Sequence, residues 1–179
     1  MHRPIIMLLA LVASSVVAAP AIAPGDVGLR HDIQVLADYG VIRGPVTTWP
    51  LAWDAIQADI EAARDESMIL PVAVEQTLQR IHERAERDSR RGQHRFRGRV
   101  AVAEKPARIR SFENTPRDNT EASASYAWLG DHVSINLSAT AVDSPDDGKD
   151  YRADGSRIAV GLGNFTFAAS TMDRWWGPG

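Results

Sequence analysis

Arginines recur at every second position, Arg95, Arg97 and Arg99, with Phe96, Gly98 and Val100 between them. On an extended chain alternate residues point to opposite sides, so these guanidiniums form one cationic face. The row continues the basic run Arg84, Arg87, Arg90 and Arg91. Such a face attracts acidic polymers, or it pairs with acids of neighbouring elements. A second group, Asp173, Arg174, Trp175 and Trp176, has the residue types that hold sugars. Indole rings stack on the CH faces of a pyranose, while acid and guanidinium groups hold its hydroxyls. Adjacent strand residues face opposite ways, so at most one of the two tryptophans meets a given ligand. An interfacial aromatic anchor, or a loop folded into a lumen, fits the same residues.

Chemistry of other kinds has little to build on. His31, His82, His94 and His132 are scattered, with no pair at metal-ligand spacing, and the Gly-x-Ser-x-Gly elbow of hydrolases is missing. His31 beside Asp32 suggests a proton relay, yet adjacent helical residues diverge, which makes a solvated pair the better reading. Asp143, Asp146, Asp147, Asp150 and Asp154 lack the Asp-x-Asp-x-Asp-Gly order of a calcium loop and read as a solvated loop. The sequence has no cysteine, which excludes disulfides, thiolate zinc sites and an acylated cysteine. No catalysis, metal or cofactor is expected.

The 179 residues carry 20 Lys plus Arg against 23 Asp plus Glu, a net charge of −3, which is not that of a polycationic nucleic-acid binder. With 44% hydrophobic and 24% charged residues the chain is a folded one, of one or two modest domains. Met1-His2-Arg3, the apolar run Ile5 to Val12 and the small residues up to Ala23 follow the order of a secretory signal peptide, assigned to residues 1–23. Cleavage after Ala23 satisfies the small-x-small rule through Ala21 but places Pro24 just beyond the cut, whereas cleavage after Ala18, with Val16 upstream, avoids that proline. The apolar part is shorter than the ~20 residues of a spanning helix.

Residues 24–91 read as a bundle of three helices. Leu29, Ile33 and Leu36 share a helical face behind Asp26 as N-cap, and Gly40 offers a left-handed stop. A second helix is expected from Thr47 or Thr48, with Pro50 in its first turn and Trp53, Ile56 and Ile60 along it. A third is expected from Pro71 to Arg90, with Val74, Leu78, Ile81 and Ala85 as its stripe. Val41 and Ile42, just after the glycine, form a hydrophobic plug for the helical hairpin. The stretch Leu36 to Gly44 with Trp49-Pro50-Leu51 also faintly resembles the helix-loop-helix of S-layer homology modules.

From Gly92 the period changes to two. After the arginine row come Ala122, Ala124, Tyr126 and Trp128, then Val133, Ile135, Leu137, Ala139 and Ala141, each alternating with polar residues across a turn at Gly130-Asp131. Ile158, Val160, Leu162 and Phe165, Phe167, Ala169 form the next pair around Gly163-Asn164. Tight turns alternate with long polar connections at 106–119 and 143–155, the habit of an outer-membrane barrel with short turns at the periplasmic side. Arginine toward the bilayer midplane costs about 2 to 4 kcal/mol, so the row must face the lumen. A soluble antiparallel sheet shows the same alternation. The strands number about five, fewer than the roughly eight of the smallest closed barrel, and Gly179 is not a terminal aromatic. Residues 92–179 are therefore expected to be the first strands of an incomplete barrel, and the fold class to be α+β.

The stretch Pro24-Gly-Asp-Val-Gly-Leu-Arg-His-Asp-Ile-Gln-Val-Leu-Ala-Asp-Tyr-Gly-Val-Ile-Arg-Gly-Pro-Val-Thr-Thr-Trp-Pro-Leu51, with Met172-Asp-Arg-Trp-Trp-Gly-Pro-Gly179, resembles the Wzi family of capsule assembly proteins. The resemblance implies an outer-membrane barrel with a helical bundle at its periplasmic end, acting as a lectin that helps attach capsular polysaccharide to the surface of a Gram-negative cell. The expected partners are capsular or other exported polysaccharide and outer-membrane lipid, with no nucleic acid and a monomeric full-length barrel. The residues expected to contact polysaccharide are Asp173, Arg174, Trp175, Trp176, Arg95, Arg97 and Arg99. A porin-like channel with a periplasmic cell-wall-binding helical module is the alternative, and a soluble periplasmic polymer-binding protein a third reading.

Overall fold

The structure, a computed structural model, describes residues 20–106, 115, 116, 118–143, 145, 147–162 and 165–176. Most of the expected export segment, the turn at Gly163-Asn164, Asp146 and residues 177–179 lie outside the described residues. Asp26 caps α1 (Val27–Asp38), its carboxylate accepting the Leu29 N–H at 3.0 Å, a cap worth about 1 kcal/mol. Leu29, Ile33 and Leu36 are buried, as their spacing requires. Gly40 takes φ +72°, a conformation that costs glycine little. The N–H groups of Val41 and Ile42 then both return to the Leu36 carbonyl, at 2.9 and 3.2 Å, and both side chains are buried beneath the helix pair. Asp59 holds the next residues by accepting the N–H groups of Arg43 and Gly44 at 2.9 and 3.0 Å.

The second helix begins later than its capping signals suggest. Thr48–Trp49 and Leu51–Ala52 are short strands, β2 and β3, flanking a cis Trp49-Pro50 bond, and α2 (Trp53–Asp65) follows them. Strand pairing overrides the Thr47 and Thr48 signals, because β3 pairs with β1 (Ala21–Ile22) and buries Leu51. α3 (Val72–Asp88) starts after Pro71 and stops two residues short of Arg90. Its stripe of Val74, Leu78, Ile81 and Ala85 is buried, and Thr77 joins it by donating its hydroxyl to the Ala73 carbonyl at 3.0 Å. Arg80 ties α3 to α1 through both oxygens of Asp32, at 2.9 and 3.2 Å.

The bundle takes in residues that the sequence assigned to the export segment. Ile22 is 3% exposed in the core, and the Trp53 backbone N–H donates to the Pro20 carbonyl at 3.2 Å. Burying an isoleucine contributes about 1.5 to 3 kcal/mol, all of it lost if the chain were cut after Ala23.

Gly92, at φ +72°, turns the chain out of the bundle and donates its N–H to the Leu129 carbonyl at 2.8 Å. β4 (His94–Val102), β5 (Thr120–Leu129), β6 (Val133–Asp143), β8 (Arg157–Leu162) and β9 (Phe165–Ser170) follow one another antiparallel, with β7 (Tyr151–Arg152) beside the far part of β6. The path has β4 and β9 at its two ends. The five expected strands are present, and the tight turn is set by Gly130 donating to the Val133 carbonyl at 2.8 Å. β9 ends where Ser170 faces Arg157, and the chain then returns to the bundle. There β10 (Trp175–Trp176), expected to be loop, pairs antiparallel with β2, Trp175 opposite Trp49.

Two outcomes are expected of this fold. If a signal peptidase cleaves the chain, N-terminal sequencing should give Ala19, since a cut after Ala18 spares Ile22; a start at Pro24 would contradict the packing of β1. Arg43 grips Glu66 with both guanidinium nitrogens, Nη1 to Oε1 at 2.9 Å and Nη2 to Oε2, and that hydrogen bonding holds the Glu66 carboxyl below its ordinary value. A carboxyl lowered in this way stabilises the fold above the ordinary carboxylate range, and the contribution fades as pH falls through the lowered value. Glu66→Gln will therefore lower Tm slightly at neutral pH and not at all in strong acid, as read by thermal melts across pH; the pair is solvent-exposed, so the shift is small.

Candidate functional site

Register fixes what each face of the sheet presents. Phe96, Tyr126 and Leu137 lie in one row, Val100, Ala122 and Ala141 in another, and Val133, Val160 and Phe167 in a third. All project to the same side. Phe96 is 78% and Val100 75% exposed there, and Leu162, Phe165 and Phe167 are exposed with them. A contiguous apolar band of this kind needs apolar surroundings. At the short-turn end the band finishes in aromatics. The rings of Phe96 and Tyr126 are 5.1 Å apart and those of His94 and Trp128 6.5 Å, with His94 Nδ1 2.9 Å from the Tyr126 hydroxyl. Rings with a polar tip suit a membrane–water boundary.

The opposite face is polar. Arg97 stands across from Ser125 and Ser138, and Arg99 across from Ser123 and Thr140. Between this face and the bundle lies a cavity of about 740 Å³, lined by these residues, by Asn136 and Arg157, by residues 20–27 of the bundle and by Met172 and Asp173. Its wall is pinned from within: Asn136 donates to the Gly155 carbonyl at 2.7 Å, and the Ser156 hydroxyl accepts the Ser138 N–H at 3.0 Å.

The arginine row divides by partner. Arg95 reaches the bundle, its Nη1 donating to the Arg87 carbonyl at 2.7 Å and to Asp88 Oδ1 at 3.0 Å. Asp88 also accepts from Arg84 Nε at 2.8 Å, and Arg84 Nη1 lies 3.7 Å from the Asp26 carboxylate. A chain of alternating charge thus runs from the cap of α1 through α3 into β4. Arg91 and Asp131, 3.1 Å apart, add a second tie from the bundle to the β5–β6 turn. Arg99 makes an interaction of its own within the fold. Arg97 alone of the three has no hydrogen bond or ion pair from its side chain among the described residues.

The remaining sequence-level candidates are placed apart. Trp175 is half-buried against the bundle core, with its strand residue opposite Trp49, while Asp173 reaches the cavity. Asp173 and the arginine row therefore share one cavity, and Trp175 belongs to the bundle. At the long-loop end Arg152, whose side chain is 9% exposed, lies 3.4 Å from Asp118 and 2.8 Å from Asp147. The Lys149 N–H, and then Arg152, hold the Asp147 carboxyl below its ordinary value. These acids answer a cation of the chain itself, and among the described residues no cluster of three metal-ligating side chains occurs. Asp32 is taken by Arg80, leaving His31 exposed beside it. Sequence reasoning missed Arg157, Asn136 and the serines of β5 and β6 as cavity residues. Their parity, opposite to Ile158, Ile135 and the alanines, was the signal.

An antiparallel sheet with one exposed apolar face and one polar, cavity-lining face, set beside a helical bundle, has the build of part of a β-barrel wall. No protein-family model matches the chain. It is 28% identical over 165 residues to an uncharacterised 55.8 kDa protein in the cps region of Klebsiella pneumoniae, covering 90% of this chain and 31% of that one. Among solved structures it matches Wzi of Escherichia coli, an outer membrane protein involved in group 1 capsule assembly and a carbohydrate-binding β-barrel. There the TM-score is 0.64 at 23% identity, over 90% of this chain and 35% of that chain. The chain thus spans about a third of the length of the relatives it matches. The Wzi resemblance carried by residues 24–51 and 172–179 is met by a shared fold.

Asp88 sits at the joint of bundle and sheet, so Asp88→Asn should remove the carboxylate that Arg84 and Arg95 share, leaving Arg84 with Asp26 and Arg95 with the Arg87 carbonyl. Hydrogen bonds between charged groups contribute about 1.5 to 3 kcal/mol each. Limited trypsinolysis will then cut at Arg90 or Arg91 sooner than in the wild type; an unchanged cutting rate would mean that packing alone holds the joint.

Proposed function

We propose that the chain supplies the periplasmic bundle and the first barrel strands of an outer-membrane protein that binds capsular polysaccharide and helps retain it at the cell surface, without catalysis. The observation that carries this reading is the division of one sheet into an exposed apolar face and a polar face over a cavity. The likeness to a carbohydrate-binding barrel of capsule assembly supports it. On this reading lipid covers the outer face. Polysaccharide lies along the inner face, with Arg95, Arg97, Arg99 and the tail residues Asp173, Arg174, Trp175 and Trp176 as its contacts. The front of the bundle, residues 20–27, lines the cavity, an arrangement that suits a closed floor better than an open pore.

Deletion and complementation in the parent bacterium test the proposal. Loss of the protein should release capsule into the medium without lowering its synthesis, and the protein should leave membranes only with detergent. Extraction by salt would point to a soluble polymer-binding protein, and steady ion conductance in planar bilayers to a porin-like channel. A pair of variants tests the orientation of the wall. Val100→Arg, on the apolar face, should cost about 2 to 4 kcal/mol if it meets the bilayer interior and should sharply reduce membrane insertion. Ala101→Arg, one residue on and opposite Glu121, should insert normally.

A further inference from the structure

We infer that the inner wall takes sugar units bearing carboxylates, with Arg97 as the group that reads the charge. The inference rests on the polysaccharide reading above and narrows it to acidic sugars. Three cations at alternate positions of one strand repel one another unless anions lie between them. The fold answers Arg95 with Asp88 and the Arg87 carbonyl, and Arg99 has an interaction within the fold. Arg97, between them, has none from its side chain among the described residues, although it lines the cavity. A position that needed only to stay wet would carry a hydroxyl, as its cross-strand partners Ser125 and Ser138 do.

The surroundings of Arg97 match such a ligand. A guanidinium binds a carboxylate through two parallel N–H···O bonds, a planar geometry that neutral sugars do not offer. Across β5 and β6 the same rows hold Ser123, Ser125, Ser138 and Thr140, hydroxyls that both donate and accept and so suit the hydroxyls of the adjoining ring. Asp173, at the same cavity, repels a second carboxylate and accepts from a sugar hydroxyl. The site therefore favours one acid group seated at Arg97 with neutral hydroxyls on either side.

The test uses the whole chain in detergent, with an oligogalacturonate, the same oligomer after carboxyl reduction, and polyglutamate as probes. The acidic sugar should bind tightest, with an affinity that falls as salt rises. Arg97→Gln should weaken its binding by about tenfold or more, the loss expected for one charge-assisted contact, and leave the reduced oligomer unaffected. Arg97→Lys, which keeps the charge and the fold, should fall between. Equal binding of the acidic and reduced oligomers, unmoved by Arg97→Gln, would overturn the inference and leave the polysaccharide reading standing. Polyglutamate binding as tightly as the oligogalacturonate would overturn it as well, by reducing the wall to general electrostatics. Failure of both oligomers and of the parent capsular polysaccharide to bind would remove both readings.

Discussion

Everything in the sheet depends on register. Side chains of a strand alternate with a period of two, so a slip of a single residue between β5 and β6 would turn Leu137 inward and Ser138 outward, and would do the same along the whole strand. The observed pairing keeps apolar with apolar through Phe96, Tyr126 and Leu137, and polar with polar through Arg97, Ser125 and Ser138. The alternation and the pairing specify each other. The opposite character of the two faces is what makes the specification strong, since a slip would exchange apolar for polar residues on both at once.

The bundle answers a different need. Three helices of this size bury a modest core, centred on Ile33, Leu36, Trp53, Ile60 and Ile81, and add to it with short extended segments at their margins. β1 brings Ile22, the turn after α1 brings Val41 and Ile42, and β10 lays Trp175 against the same core. The joint to the sheet is polar by contrast. It is built from Asp26, Arg84, Asp88 and Arg95 in sequence, so that charges facing the cavity are matched across the boundary between bundle and sheet.

What could be read from sequence was what is local. Asp26, the spacing of Leu29, Ile33 and Leu36, the glycine stop at Gly40 and the change of period after Gly92 each act within a few residues, and each is where the sequence places it. Thr47, Thr48 and Pro50 carry good helix-start signals, yet Thr48 lies in a strand and the helix waits until Trp53, because Thr48–Trp49 pairs with Trp175–Trp176 and Leu51–Ala52 with Ala21–Ile22. No periodicity announces a pairing between such distant segments. The candidate site was legible in the same measure. Alternation put Arg95, Arg97 and Arg99 on one face, but only the fold brings Asp88 to Arg95 and leaves Arg97 over the cavity.

The tail from Thr171 to Trp176 has a mechanical meaning. The bundle is joined to the wall once through Gly92, and were that its sole attachment it would hang like a door on a single hinge. The tail leaves the wall at Ser170 and binds the bundle again at Thr48–Trp49, on the far side of the molecule's chain order. With the ion pairs at Asp88 and Asp131, this second strand attachment restrains the swing. A load on the sheet would then be shared among the backbone at Gly92, the ion pairs of Arg95 with Asp88 and of Arg91 with Asp131, and the strand pair at Trp49.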